Sequence, residues 1–451
     1  MKTFLTCGAA AAGLLALVGT ADAADAERYL VVLKNNAKMD AAVADIEAAG
    51  GTVALTLPQV GILVATSDDA DALRGVGGVM NVGVEPQAAL PNTVDAATSF
   101  AQPDADGPTE ADVLLEDDLL WGIERVQAPE AWEAGFTGEG VTVAVIDSGV
   151  AWNHPDLANR VVFATCVSGD GSACNPYPTS SDHGTHVAGT VAASFGDGLA
   201  VGVAPNANIA SYNVFPAGGG GSFGAIFASM VDAADRGYEV INMSLGAQVQ
   251  RGGQGTNDLN ALINAQKRVA RYVAKAGTVV VASAGNDSLN ENGTNYHLPG
   301  DSPSIINVSA TGLRPTYVYG EDSYDVPAFF TNYGAAVDVS APGGDCGTDG
   351  GCFVADLGYP YYYHLILSTT VDLSVPGCSE TYSCRPRYSW KAGTSMASPH
   401  VAGAAALVAA AEPGISPRQI KATIKQTADR VPNRQVFGHG VVNAAAAVGA
   451  R

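Results

Sequence analysis

The chain has 451 residues and a net charge of −22, from 23 basic and 45 acidic side chains. That length suits two or three folded units, and 47% hydrophobic residues make a packed globular protein rather than a disordered chain. The acidity excludes nucleic acid held through phosphate contacts, and is read as a device for solubility.

The predicted elements follow in chain order. Residues 1–23 read as a secretory signal peptide: Lys2 is a short positive start, Gly8 to Gly19 an apolar run, and Ala21-Asp22-Ala23 a small-residue cleavage site. The run is too short for a permanent membrane span, so export to the extracellular space or the periplasm without a membrane anchor is expected. Residues 24–90 form a small unit. RYLVVLK reads as a strand, KMDAAVADIEAAGG as a helix ending in glycine, TVALTLPQVGILVATS as two strands, DADALRGVGG as a second helix and VMNVGVEP as a last strand. This β-α-β-β-α-β order is ferredoxin-like. Residues 91–118 carry Asp104, Asp106, Glu110, Asp112, Glu116, Asp117 and Asp118 with few large apolar residues, and read as an exposed acidic linker, where proteolytic nicking concentrates.

Residues 119–451 alternate two patterns. VTVAVID, IASYNVF, EVINMSL, TVVVASAG and AAVDVSAP are apolar on both faces, as strands of a covered parallel sheet are. Between them, FGAIFASMVDAADRG and DLNALINAQKRVARYVAKAG have helical period. The expected fold is α/β, a doubly wound, mostly parallel sheet whose ligands bind beyond the carboxyl ends of the strands.

Loss of the signal peptide removes Cys7 and leaves six cysteines in three close pairs: Cys166 and Cys174, Cys346 and Cys352, Cys378 and Cys384. An even number in an exported chain points to disulfides, and local pairing is the simplest of the fifteen connectivities. A metal site is the weaker alternative, because no C-x-x-C spacing occurs and no histidine sits among them.

Three residues draw attention as chemistry. Asp147 ends the apolar run VTVAVID, where an unpaired carboxylate is costly. His183 opens a run of small residues, HGTHVAGTVAA, with Ser181 and Asp182 placed to cap a helix. Ser395, in GTSMASPHVAG, follows a tight turn at the start of an alanine-rich helix, near the positive end of its dipole. Singly these read as a turn acid, a core histidine and an N-cap. Together they supply a nucleophile, a base to take its proton and a carboxylate to orient the base.

The segments AVIDSGVAWNHPDL, HGTHVAGTVAA, INMSLG, VVVASAGN, GTSMASPHVAGAAAL and GHGVVNAAAAV resemble, in order, the signature segments of subtilisin-like serine proteases. The resemblance runs from about Leu119 to Arg451, and residues 24–90 look like the family's inhibitory propeptide. It implies a serine endopeptidase with Asp147, His183 and Ser395 as triad and Asn286 as oxyanion-hole donor. It implies a substrate strand laid between Ser244-Leu245-Gly246 and Gly219-Gly220-Gly221, Phe223 as wall of an apolar subsite, and Ser283-Ala284-Gly285 lining the primary pocket. Asp287 and His297 fall near the base of that pocket, and Asp287 would favour a basic or large polar side chain there. His186 and His400 would be structural.

The resemblance implies no cofactor for the chemistry. Asp156 matches a family calcium ligand, but the loop SFGDGLAVG lacks the usual asparagine, with Asp197 as the available substitute. The stretch from Cys346 to Trp390 exceeds the family core and is expected as a disulfide-stapled surface excursion near the cleft. The partners implied are a protein or peptide substrate and the chain's own propeptide; a monomer, broad specificity and self-maturation are expected. The alternative is a secreted binding or scaffold protein on an inactive protease fold. A metallohydrolase using His183 and His186 fits less well, since H-x-x-H lacks the H-E-x-x-H pattern.

Overall fold

The computed structural model describes residues 27–90, 93–101, 119–196, 198–216, 220–250, 256–314, 323–345 and 364–450. The signal peptide, Gly219, Asp197 and the pair Cys346 and Cys352 lie outside the described residues.

The first unit contains β1 (Glu27–Leu33), α1 (Met39–Ala48), β2 (Thr52–Leu57), β3 (Ile62–Ser67), α2 (Ala70–Gly75) and β4 (Val79–Val84). Its antiparallel sheet has the order β2-β3-β1-β4, the ferredoxin-like arrangement the sequence predicts. The run YLVVL is apolar throughout because β1 has two covered faces. Tyr29, Val31 and Leu33 pack on Met39, Ile46 and Leu73 of the unit's own helices. Leu30 and Val32 face the other way, into a core shared with helices of the large domain. Chain continuity then places β5 (Gln87–Ala88) and β6 (Val94–Ala101) on that domain.

The large domain is built on an eight-stranded sheet. Its strands are β7 (Thr142–Asp147), β8 (Val161–Cys166), β9 (Asn208–Asn213), β11 (Val240–Met243), β13 (Val279–Ser283), β15 (Ile305–Arg314), β16 (Ser323–Pro327) and β17 (Val339–Pro342). The order is β16-β15-β13-β11-β7-β9-β8, with β17 also on β15, and every pairing but β15–β16 is parallel. Along β7 the side chains alternate between two cores. Val143 and Val145 join one face with α3 (His183–Ala192) and α6 (Thr394–Ala411). Ala144 and Ile146 join the other, with α4 (Phe223–Asp235) and α5 (Thr256–Ala276). The sheet is therefore covered on both sides, as its unalternating strands require. From β7 the chain first builds one side of the sheet, β8 at the edge and then β9 next to β7, and then crosses to the other side with β11, so the ends of β7 and β11 flank the switch point where such sheets carry their sites.

The remaining strands edge the cleft. They are β10 (Gly221–Ser222), which pairs with β5; β12 (Ala247–Gln250), which pairs with β14 (Asn295–Leu298); and the hairpin β18 (Ile366–Asp372) with β19 (Arg385–Ala392). Two expectations are corrected. The excursion before Trp390 is not wholly a surface feature: Ile366, Leu367, Tyr388 and Trp390 are buried with Val187 and Val191 of α3. Residues 94–101, expected within the linker, form β6 on the edge of β19, from Ala101 opposite Arg387 to Val94 opposite Ala392. The pairing satisfies an otherwise open strand edge.

The two units are joined by a buried carboxylate. Glu85, 4% exposed, accepts from the Gly224 backbone N–H in the first turn of α4 (2.8 Å) and from Arg28 Nε (2.7 Å). An acid at a helix start is stabilised by the dipole as well as by its hydrogen bonds. In a Ser395→Ala background, Glu85→Ala is expected to lower stability against urea by about 1.5–3 kcal/mol, the range for hydrogen bonds to charged groups.

Candidate active site

Asp147 is the last residue of β7, and its side chain is wholly buried. Oδ1 accepts from the Ser148 N–H at 2.7 Å and lies 2.8 Å from His183 Nδ1, with Oδ2 at 3.1 Å. His183 is the first residue of α3, and every residue of that helix is buried. Its small side chains let it lie close against β7 and β18. The expected cap works differently: Ser181 Oγ accepts from the His183 N–H, while the Asp182 carboxylate turns to Lys391 Nζ at 3.1 Å. With Nδ1–H donating to Asp147, the basic nitrogen of His183 is Nε2, which is buried without a hydrogen-bond partner.

Ser395 is the second residue of α6, behind Gly393 and Thr394, so it is not the helix cap. It is fully buried, and its Oγ donates to the Ser244 carbonyl at 3.3 Å. A network under it fixes the first turn of α6 to the end of β11. Ser244 Oγ donates to the Ser395 carbonyl (2.8 Å), Asn242 Nδ2 donates to Ser244 Oγ (3.1 Å), and Ser398 Oγ donates to Asn242 Oδ1 (2.6 Å). Asn242 and Ser398 are buried polar residues that sequence reasoning did not single out, although both lie inside quoted motifs.

Asn286 follows β13. Its Oδ1 accepts from Thr394 N–H (2.9 Å) and Thr394 Oγ1 (2.7 Å), and Thr394 Oγ1 accepts from the Gly285 N–H (3.1 Å). These bonds orient the amide, with Nδ2 facing Gly393. A Cβ at Gly393 would lie 3.0 Å from that nitrogen, so a larger residue there would press on the amide. Thr394 and Asn332 were missed by sequence reading. Asn332 Nδ2 donates to the Ala284 carbonyl (2.9 Å) and Glu291 Oε1 (3.0 Å), while its Oδ1 accepts from the Asp287 and Leu289 N–H groups. It clamps the loop that carries Asn286, from a site about fifty residues away that no local pattern marks.

Ser244, Leu245 and Ala284 are buried in the loops after β11 and β13 and Ser283 is the buried last residue of β13, with Gly246 and Gly285 beside them. Gly220 and Gly221 lie on the opposite edge. Phe223 is fully buried, edge-on to Phe227 at 5.7 Å, in the core layer that also takes Ala88. His186 is not placed for metal binding: Nε2 reaches the Ile366 and Ser389 carbonyls at 3.0 and 3.2 Å, and burial holds its pKa well below the usual value. His400 Nδ1 donates to the Met396 carbonyl at 2.8 Å. Both are structural.

The surroundings of Asp156 do not fit a calcium site. Its Oδ2 accepts from the Ala200 N–H (3.0 Å) and its Oδ1 from the Tyr388 hydroxyl (3.1 Å). A hard cation needs several oxygens turned toward it, and here the loop turns hydrogen donors toward the carboxylate. Among the described residues no group of three or more His, Cys, Asp or Glu could hold a metal. Two of the local disulfides are formed, Cys166–Cys174 and Cys378–Cys384. Among the described residues no helix is long and apolar enough to cross a membrane.

A buried carboxylate–imidazole pair and a serine at the start of a helix are the equipment of a serine hydrolase. Comparison with known proteins gives the class. Residues 138–442 match the subtilase family. The chain is 34% identical over 372 residues to alkaline elastase YaB of Bacillus sp. (strain YaB), covering 82% of this chain and 79% of that one. It is 33% identical over 327 residues to subtilisin E of Bacillus subtilis (strain 168), covering 72% and 70%. Among solved structures, fervidolysin from Fervidobacterium pennivorans, a keratinolytic enzyme, aligns with a TM-score of 0.68 and 25% identity over 95% of this chain and 62% of that one. The epidermin leader peptide processing serine protease of Staphylococcus aureus shares the fold, with a TM-score of 0.71 and 21% identity over 94% of this chain and 98% of that one. The chain belongs to the subtilase family and is a serine endopeptidase.

One carboxyl behind the site is held in the protonated range. Burial first, and then the Asp301 charge, raise the pKa of Glu291. Stability tied to a raised carboxyl is complete below the ordinary carboxylate range and is lost as pH rises through the folded-state value. Glu291→Gln is therefore expected to flatten the fall of the urea midpoint with rising pH on the alkaline side, measured between about pH 5 and 10.

Proposed function

We propose that this chain is an exported endopeptidase made as a self-inhibited precursor, with Asp147, His183, Ser395 and Asn286 carrying its chemistry. The observation behind this reading is the course of the chain through the cleft. β5 pairs antiparallel with β10, Gln87 opposite Ser222 and Ala88 opposite Gly221. On the other side Ala89 and Gly246 exchange both backbone bonds, at 2.9 and 3.1 Å. Four residues on, Thr93 lies against Gly393: a Cβ on that glycine would be 3.2 Å from Thr93 Cγ2. An extended segment held by its backbone between two edges, leading to the serine, is bound as a substrate would be.

In the proposed mechanism Ser395 Oγ attacks the scissile carbonyl while His183 Nε2 takes its proton. The tetrahedral oxyanion is met by Asn286 Nδ2 and the Ser395 N–H. His183 then gives the proton to the leaving amine, and water repeats the sequence on the acyl-enzyme. Asp147 keeps the proton on Nδ1 and stabilises the imidazolium. The bond from Ser395 Oγ to the Ser244 carbonyl is a resting arrangement, since nucleophile–base contacts tighten in the reacting complex. Recognition through backbone edges tolerates many sequences and favours broad action on proteins. The paired disulfides and the leader-like start support export.

Maturation in this reading cuts one of the bonds between Leu90 and Thr93. N-terminal sequencing of the processed protein should find a first residue at position 91, 92 or 93, on the final form or on an intermediate. The Ser395→Ala chain, made in a protease-free host, should keep residues 27–90 attached. Processing of that variant at the same bond would contradict self-cleavage. Asn286→Ala should lower kcat about 100- to 1,000-fold with little change in KM, a magnitude known from subtilisin itself.

A further inference from the structure

The two loops proposed as walls of the primary pocket are not separated by an open slot. His297, in β14, stands between them. A Cβ on Gly246 would lie 2.7 Å from His297 Nε2, and one on Gly285 would lie 2.8 Å from His297 Cδ2. One imidazole ring therefore touches both walls, and together with the Leu298 carbonyl at Gly246 and Asn332 Nδ2 at Gly285 it leaves no room for a side chain on either wall residue. Gly285 has a second reason, its φ of +102°.

The ring is held in place. β14 pairs with β12 with His297 opposite Gln248, and the next pair is Leu298 with Ala247, directly after Gly246. The His297 N–H donates to Asp301 Oδ2 at 2.9 Å, and the residue is 4% exposed. Its Nδ1 is buried without a hydrogen-bond partner, a cost that an apolar core filler would avoid. Burial lowers its pKa to about 4, so the ring is neutral across the working range of a protease. The cavity left above it, about 320 Å³, is lined by Gly246, Asn286, Asp287 and His297 together with the chain's own Ala89 and Leu90. His297 forms part of the lining between the two walls. Asp287 is exposed and lines the same cavity as the buried ring, so its charge stands at the mouth and not in the buried filling.

We propose that His297 fills the depth of the primary pocket, excludes aromatic side chains from the residue before the scissile bond and favours small ones such as Ala or Ser. An aromatic ring entering between Gly246 and Gly285 would have to occupy the space the imidazole already fills, and close-packed interiors do not yield such volume cheaply. Small residues are met at the mouth, while the other substrate positions are read through their backbone. The inference rests on the proposed placement of the substrate cleft.

The test uses the mature enzyme and chromogenic peptides that differ only in the residue before the cleaved bond, Ala against Phe. The wild type should show kcat/KM at least tenfold higher for Ala. His297→Gly should shift the Phe-to-Ala ratio toward Phe by tenfold or more, a change that a purely structural role would not produce. His297→Ser serves as a second variant should the glycine form fail to fold. A wild type that cleaves after Phe as well as after Ala, or an active variant with an unchanged ratio, overturns the proposal. A wild type inactive on casein, or active but indifferent to a serine-directed sulfonyl fluoride, would bring down the protease mechanism instead, so the two failures are distinct.

Discussion

A carboxylate at the end of a fully buried strand persists only with partners, and the pairing of Asp147 with His183 is the interaction on which the site is arranged. It fixes the start of α3 above β7, and so requires a helix of small residues that can lie that close. The hairpin β18–β19 then packs behind α3, taking His186 through two carbonyls and placing Lys391 against Asp182. The same pairing leaves the other imidazole nitrogen without a hydrogen-bond partner, the position of the base in the proposed mechanism. Removing Asp147 would thus expose a structural as well as a chemical dependence, since a buried imidazole would lose the acceptor for its Nδ1–H.

The second constraint is that the loops after β11 and β13 must hold still next to Ser395. Buried side chains supply that rigidity: Asn242, Ser244 and Ser398 beneath Ser395, Thr394 and Asn332 around Asn286. Fully satisfied polar networks of this kind specify one arrangement. Residues 87–89 use what these loops leave open, two backbone edges, and Glu85 fastens the segment to α4 nearby. In the proposed reading one chain contains both the cleft and its first occupant.

Much of this was legible in the sequence. Strands apolar on both faces gave the covered parallel sheet, and the helix and strand periods of residues 27–84 gave the small unit with its order of elements. Asp147 and His183 were found because each stands at a boundary where pattern changes, a strand end and a helix start. What stayed hidden depends on long-range contact. Nothing near Asn332 or Glu85 marks them, since their partners lie far along the chain. The strand at residues 94–101 was read as linker because its partner, β19, is almost three hundred residues away. Asp156 carries a familiar motif, yet its partners come from a loop and from Tyr388, and they turn out to be hydrogen donors.

The most direct measurement is peptide mapping by mass spectrometry after the mature protein meets a serine-directed sulfonyl fluoride. The proposed mechanism predicts a single adduct, on Ser395, formed in step with the loss of casein hydrolysis and strongly slowed in Asp147→Asn. An adduct elsewhere, or full hydrolysis by protein labelled at Ser395, would contradict it.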